Sequence, residues 1–160
     1  MNAPQPVVTR DASEGRTIGI VGDIYRFLAT GEETDGRYAM IEATVLPGGG
    51  PPPHIHRRED ETFYVVEGEI TMQIGDERRV AKSGTFVHMP IGNLHSFTNN
   101  TDTPAKLLIS FVPAGLEKMF VEVGKDLGEG ELPDKVSPQE MERILGAADR
   151  YGIEYKVPAP

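Results

Sequence analysis

The sequence predicts an all-β protein, an antiparallel sandwich or barrel, with one short helix near its C-terminus. The middle of the chain contains many short runs in which apolar and polar residues alternate, and turn-forming residues separate these runs. Eighteen glycines and thirteen prolines among 160 residues also suit a turn-rich β protein better than a helical bundle. A chain of this length is most simply one domain that buries a substantial core.

The N-terminal part begins with an arm and continues into two predicted strands. Residues 1–17 are polar and contain prolines, and we expect this arm to be ordered where it docks on a neighbour. Alternating residues at 18–28 predict a strand, and residues 30–36 have the composition of a loop. The next strand is predicted at 38–46, and its alternation leaves the inward face undecided.

Six further strands follow at short intervals. They are predicted at residues 61–66, 70–74, 78–81, 85–89, 95–98 and 106–112. Because side chains alternate across a strand, three sets of residues are each expected to share a face. These sets are Glu61, Phe63 and Val65; Ile70, Met72 and Ile74; and Leu107, Ile109 and Phe111.

His54 and His56 form a candidate chelating pair. They are two residues apart, so an extended backbone directs both imidazoles to the same side. Glu61 lies an odd number of residues further on, so the chain must turn before it, and we expect that turn at residues 57–60. His95 follows a turn-like segment at 90–93. A lone His-x-His pair is more often structural, but three imidazoles and one carboxylate would suit a divalent transition metal.

Two glycine- and proline-rich residue runs precede the histidine pair. Three glycines at 48–50 permit unusual dihedral angles, and three prolines at 51–53 hold an extended backbone. This connection either delivers His54 and His56 at a set angle or is a bulge at the end of an edge strand.

The spacing around these residues resembles both sequence motifs of the cupin superfamily, over roughly residues 38–112. The first motif matches Gly48, His54, His56, Glu61 and Gly68. The second matches Gly84, Pro90, Gly92, His95 and Asn99. The resemblance implies a double-stranded β-helix, or jelly-roll, barrel. It also implies that His54, His56, Glu61 and His95 bind one divalent transition metal, namely iron, manganese, nickel or cobalt, with zinc as an alternative in a purified sample.

In overall layout the chain is similar to the quercetin 2,3-dioxygenase-like single-domain cupins of bacteria. That resemblance implies oxidative cleavage of a flavonol or related small aromatic by O2, with Glu61 also acting as the catalytic base. An apolar cavity is expected, because Phe63 shares the face of Glu61. Other possibilities remain: an oxygenase of a different aromatic, a cupin isomerase or lyase, or a cupin that binds a small molecule, or is structural, without turnover.

Three neighbouring residues are not expected to be ligands. His88 is expected either behind a ligand or at the surface. Phe97 is expected to form cavity wall, since it shares the face of His95. Tyr64 is expected to pack between the sheets or at an interface.

The predicted barrel spans residues 18–123, and residues 124–160 are expected to form a loop and an amphipathic helix that pack on it. Ser137 is the predicted N-cap, with Pro138 in the first turn and Glu140 completing a capping box. The predicted apolar stripe consists of Met141, Ile144, Leu145 and Ala148, and Gly152 is the predicted C-terminal cap. A lid over the barrel or a dimer contact are the alternative roles.

Composition excludes several classes of function. Sixteen basic and 25 acidic residues give a net charge of -9, which disfavours nucleic acid as a partner. The chain has no cysteine, so disulfides, thiolate ligands and cysteine nucleophiles are excluded. No membrane span or secretory leader is evident, and a cytoplasmic location is expected. Exposed sheet edges predict a C2 homodimer, with the arm crossing to the partner.

Overall fold

The computed structural model describes residues 4–156, and within them the chain forms two antiparallel sheets. The strands are β1 Thr17–Ile20, β2 Asp23–Ala29, β3 Ala39–Val45, β4 His54–His56, β5 Asp60–Glu67, β6 Glu69–Ile74, β7 Glu77–Lys82, β8 Phe86–Met89, β9 His95–Thr98, β10 Ala105–Val112, β11 Lys125–Asp126 and β12 Ile153–Tyr155. The helices are α1 Glu117–Val123 and α2 Pro138–Ala148, and a 3-10 turn follows at Asp149–Tyr151. Residues 1–3 of the predicted arm and 157–160 of the predicted C-terminal unit lie outside the described residues.

The sheets have seven and five strands. The seven-stranded sheet has the order β11-β1-β2-β3-β10-β5-β8, and the five-stranded sheet has the order β12-β4-β9-β6-β7. Inward-facing residues of both sheets form one core. The predicted all-β jelly roll with a C-terminal helix is therefore confirmed. None of the helices within residues 4–156 is long and apolar enough to cross a membrane.

Period-two counting identified the inward faces correctly. Glu61, Phe63 and Val65 are all buried. The inward face of β3, which the sequence left undecided, is the one that carries Ala39 and Ile41. In β6 the first two residues of the predicted set are fully buried, whereas Ile74, at the end of the strand, is partly exposed. The alternation of apolar and polar residues therefore predicted correctly which side chains of these strands point into the core.

The prediction of one strand at residues 18–28 is wrong, because a tight turn divides it into β1 and β2. Ile20 pairs with Asp23, which leaves Val21 and Gly22 as the two turn residues, both with positive φ. Such two-residue turns match the twist of a hairpin, but valine rarely adopts this conformation. Glu140 supports it, since its carboxylate accepts a hydrogen bond from the Val21 N–H at 2.9 Å.

The C-terminal helix begins as predicted but uses its residues differently. The Ser137 hydroxyl accepts a hydrogen bond from the Glu140 N–H at 3.1 Å, which confirms the N-cap. Glu140 does not complete the capping box, because its carboxylate binds Val21. Leu145 is 41% exposed and Ala147 takes its place in the buried stripe. Gly152 adopts the left-handed conformation after the 3-10 turn and ends it.

Three elements around the barrel were not predicted, namely α1, β11 and β12; β11 pairs with β1 in a segment that was expected to be a loop. Helix α1 follows β10 directly and packs against α2 and β1. Strand β12 pairs with β4, so the end of the described chain covers the edge of the strand that carries His54 and His56. The arm contacts its own barrel, since the Arg10 guanidinium donates to the Leu28 carbonyl at 2.7 Å and pairs with Glu33. The homodimer stays a prediction.

Asp23 anchors the glycine-rich connection that leads to β4. Its fully buried carboxylate accepts hydrogen bonds from the backbone N–H groups of Leu46 at 2.9 Å and Gly50 at 2.8 Å. A Cβ atom at Gly49 would lie 2.1 Å from Asp23 Oδ1, and one at Gly50 would lie 1.9 Å from the Phe97 carbonyl oxygen. Glycine is therefore required at both positions for the chain to approach this closely.

Asp23 also makes the stability of the fold pH-dependent. Burial raises the pKa of Asp23 from 3.8 to about 7, against the two backbone hydrogen bonds that lower it. The Asp23 carboxyl thus stays protonated to higher pH in the folded protein than in the unfolded chain, so the stability of the fold falls as the pH rises from about 4 to about 7. We expect wild type to lose about 2 to 3 kcal/mol relative to Asp23→Asn between pH 5 and 8. Urea unfolding of both proteins across this range measures it, and a pH-independent difference would contradict it.

Candidate metal centre

Three strands from both sheets bring the four predicted side chains together. His54 and His56 lie on β4, and His95 lies on the adjacent β9, where it pairs directly with His54. Glu61 comes from β5 of the opposite sheet, after the chain has turned at residues 57–59. The group therefore lies between the two sheets, and all four residues are buried, with exposures of 1–7%.

The donor atoms of these residues converge on one point. The Nε2 atoms of His54 and His56 are 3.0 Å apart, and Glu61 Oε2 lies 3.0 Å from His56 Nε2 and 2.9 Å from His95 Nε2. All four ligand atoms lie within 4.8 Å of one another. Ligands about 2.1 Å from one ion and at right angles to each other are separated by about 3 Å. The spacing therefore fits a single transition-metal ion.

The hydrogen bonds on the far side of each imidazole hold its Nε2 atom ready to bind. His54 Nδ1 lies 2.9 Å from the Pro52 carbonyl oxygen, and His95 Nδ1 lies 3.0 Å from the Asn93 carbonyl oxygen. Carbonyl oxygens only accept, so both Nδ1 atoms must carry the proton. In a neutral ring this leaves the Nε2 lone pair free and directed at the centre of the group.

His56 differs from the other two because its partner is charged. Its Nδ1 atom lies 2.5 Å from Oε1 of Glu59, whose side chain is buried. Sequence reasoning placed Glu59 in a polar turn and missed this contact. An acidic residue three positions after a candidate ligand was the available signal, but its orientation depends on how the turn folds.

Charges within the group are coupled. Burial lowers the pKa of His54 to about 4, and the neighbouring His95 adds to that effect. Burial also disfavours charge on His56, but Glu61 and Glu59 outweigh it and raise the pKa of His56 to about 9. Burial opposes ionisation of Glu61, yet His56 and His95 hold the pKa of Glu61 well below its ordinary value. A metal that binds here would displace the proton that protonated His56 carries on Nε2, the nitrogen that faces the group.

An apolar cavity adjoins the four residues. Its volume is about 60 Å³, and helix α1 and strand β12 contribute to its cover. Phe97 lines it, as predicted. Burial raises the pKa of Tyr155 to about 12 and keeps that of Tyr25 well above its ordinary value, so both phenols in the lining stay protonated. The apolar wall consists mainly of Ile20, Phe97, Ile109, Phe111, Leu116, Met119, Phe120 and Ile153.

The other residues considered from the sequence lie away from the centre. His88 is exposed, and its Nε2 lies 3.1 Å from Oδ2 of Asp60, so it is a surface residue. Tyr64 is 43% exposed, so it does not pack between the sheets. It lies beside Phe86 of the edge strand β8.

Comparison with known proteins agrees with this architecture. The model of the cupin domain family matches residues 41–111. Quercetin 2,3-dioxygenase of Bacillus subtilis is 27% identical over 149 residues, which cover 92% of this chain and 44% of that protein. Quercetin 2,3-dioxygenase of Aspergillus japonicus is 30% identical over 128 residues, which cover 75% of this chain and 36% of that protein. The chain thus spans less than half the length of these two relatives.

A solved structure supports the fold independently. The crystal structure of a protein described as a predicted oxalate decarboxylase, from Thermotoga maritima, superposes with a TM-score of 0.60. The match covers 67% of this chain and 99% of the other, at 20% sequence identity, and so concerns the fold alone. Fold, motif spacing and family match agree that the chain contains a cupin domain, which the family model places at residues 41–111.

Proposed function

We propose that this chain is a metal-dependent cupin dioxygenase that cleaves a flavonol, or a related hydroxylated aromatic, with O2. The observation that carries the proposal is the convergence of three imidazole Nε2 atoms and one carboxylate beside an apolar cavity. The similarity to two quercetin 2,3-dioxygenases, which extends over most of this chain, supports the type of reaction.

The ligand set fits iron, manganese, nickel or cobalt. His54, His56, His95 and Glu61 would hold the ion, and four protein ligands leave coordination positions for other molecules. The bound metal would acidify a substrate hydroxyl and make reaction with O2 possible. The protein supplies the ligands, the orientation of each imidazole and a water-poor surrounding.

Glu61 is the proposed base that accepts the proton of the substrate hydroxyl. It lines the cavity, and its low pKa keeps it ionised. The same low pKa makes it a weak base, so the transfer requires a hydroxyl that is already acidified. The phenols of Tyr25 and Tyr155 stay protonated, so they can donate hydrogen bonds to a substrate oxygen but cannot take its proton.

The cavity favours a mainly apolar substrate and restricts its size. Its wall is largely aliphatic and aromatic, which suits an aromatic ring better than a sugar phosphate. A volume of about 60 Å³ has room for only a few water molecules. A flavonol therefore requires outward movement of the residues that α1 and β12 place over the cavity, such as Phe120 and Tyr155.

An oxygen-dependence assay tests the proposal. Protein reconstituted separately with each of the four metals is mixed with quercetin under air and under argon, and the loss of flavonol absorbance is followed together with carbon monoxide. We expect a metal-dependent loss under air alone. Absence of any oxygen-dependent loss with all four metals would contradict the proposal, and binding without turnover would indicate a non-catalytic cupin. Turnover of a substrate without O2 would indicate an isomerase or lyase.

A further inference from the structure

A buried carboxylate lies directly behind one of the proposed metal ligands. Glu59 is 3% exposed, although it belongs to a run of four charged residues at 57–60. Its neighbours Arg57 and Arg58 are exposed, and their guanidinium groups bind Glu154 and the Arg150 carbonyl, respectively. The adjacent cations therefore do not neutralise Glu59, and a buried charge needs a partner. His56 Nδ1, at 2.5 Å from Oε1, is that partner.

We propose that Glu59 is a positioning residue of the metal centre: it fixes the orientation of His56 and makes that imidazole a stronger metal ligand. This inference rests on the proposed function. The hydrogen bond fixes the proton on Nδ1 and directs Nε2 toward Glu61 and His54. A carboxylate acceptor also pushes electron density into the ring, which raises the basicity of the ligating nitrogen.

The three imidazoles are therefore not equivalent. His54 and His95 each donate to a neutral backbone carbonyl, whereas His56 donates to a charged carboxylate. Hydrogen bonds that involve an ionised partner are shorter and roughly twice as strong as neutral ones. His56 thus becomes the most strongly held of the three rings.

Glu59 also balances the charge of the centre. A divalent ion with Glu61 as its only anionic ligand would leave one net positive charge in a buried site. The carboxylate of Glu59, one imidazole ring away, brings the sum to zero. Because an uncompensated charge in a low-dielectric interior is costly, this balance favours a divalent ion over a monovalent one.

Metal affinity tests this role without reference to activity. Nickel or cobalt is titrated into metal-free wild type, Glu59→Gln, Glu59→Asp and Asp60→Asn in competition with a chromophoric chelator. Glu59→Gln keeps the size of the side chain but removes its charge, and we expect its affinity to fall by roughly 10- to 100-fold. Glu59→Asp should recover part of that loss, because it restores the charge. Asp60→Asn, the adjacent carboxylate that binds exposed His88, should match wild type.

The outcomes separate this inference from the proposed function. If wild type binds none of these ions, the proposed metal chemistry and the role of Glu59 both fall. If wild type binds and Glu59→Gln binds equally well, the role of Glu59 alone is wrong. A measurement on wild type covers the case in which the variant fails to fold: in the zinc-loaded protein, the Nδ1 proton of His56 should resonate furthest downfield of the three ligand histidines. The same chemical shift as for His54 and His95 would overturn the inference.

Discussion

Replacing His56 by alanine is expected to abolish stoichiometric metal binding and, with it, any turnover. His56 lies 3.0 Å from both His54 Nε2 and Glu61 Oε2, so its loss removes the donor at the centre of the group. The loss of affinity should exceed the roughly 100-fold that removal of a hydrogen-bond partner behind a ligand costs. Metal content after dialysis, measured by mass spectrometry, reports the result.

His88→Ala is the matched control for this variant. It removes the one histidine that lies outside the group, on the exposed side of β8, and should leave metal content unchanged. His56→Ala also leaves the buried carboxylate of Glu59 without its partner, which destabilises the fold. His54→Ala therefore accompanies it, since the Nδ1 of His54 contacts a neutral carbonyl. Retention of one metal per chain in both folded variants would show that the four residues are not the ligand set.

The second large effect is expected for Glu61→Gln. The amide keeps the shape of the side chain but cannot accept the substrate proton, so turnover per bound metal should fall by roughly 100- to 10,000-fold. Weaker metal binding is expected as well, because an anionic ligand is lost. Turnover is therefore compared at saturating metal and divided by measured metal content.

Glu67→Gln is the control for Glu61→Gln, because it changes an exposed carboxylate at the end of the same strand. Its activity and metal content should equal those of wild type. If Glu61→Gln retains metal and full turnover, Glu61 is not the base. The proton would then have to leave through water, since the phenols of Tyr25 and Tyr155 are held protonated.

Much of the fold could be predicted because its signals are local. Alternation along a strand reports which side is buried, and Phe63 and Ile109 are buried as that pattern indicates. The capping contact of Ser137 with Glu140 spans three residues and depends on residue types alone. The turn at Val21 and Gly22 was not predicted, because valine rarely adopts the left-handed conformation that it has there. The hydrogen bond that supports this turn comes from Glu140, which is distant in the sequence.

The grouping of the four candidate ligands was predictable for a different reason. The spacing of His54, His56, Glu61 and His95 within two motifs carries the resemblance, and the structure brings the same four side chains together. Glu59 was not predictable, because a polar residue in a turn is normally solvated. Only the folded turn shows that its carboxylate points inward to His56.

The sequence by itself determined the class of the fold, the residue types of the four candidate ligands and the inward faces of the strands that carry them, because these depend on short-range spacing. The tertiary structure decided what surrounds that set. It joined Glu61 of one sheet to the histidines of the other, placed Glu59 behind His56, and set α1 and β12 over the cavity. Strand β12 pairs with β4 across almost one hundred residues of chain. Such contacts depend on the packing of whole elements, which no local pattern encodes.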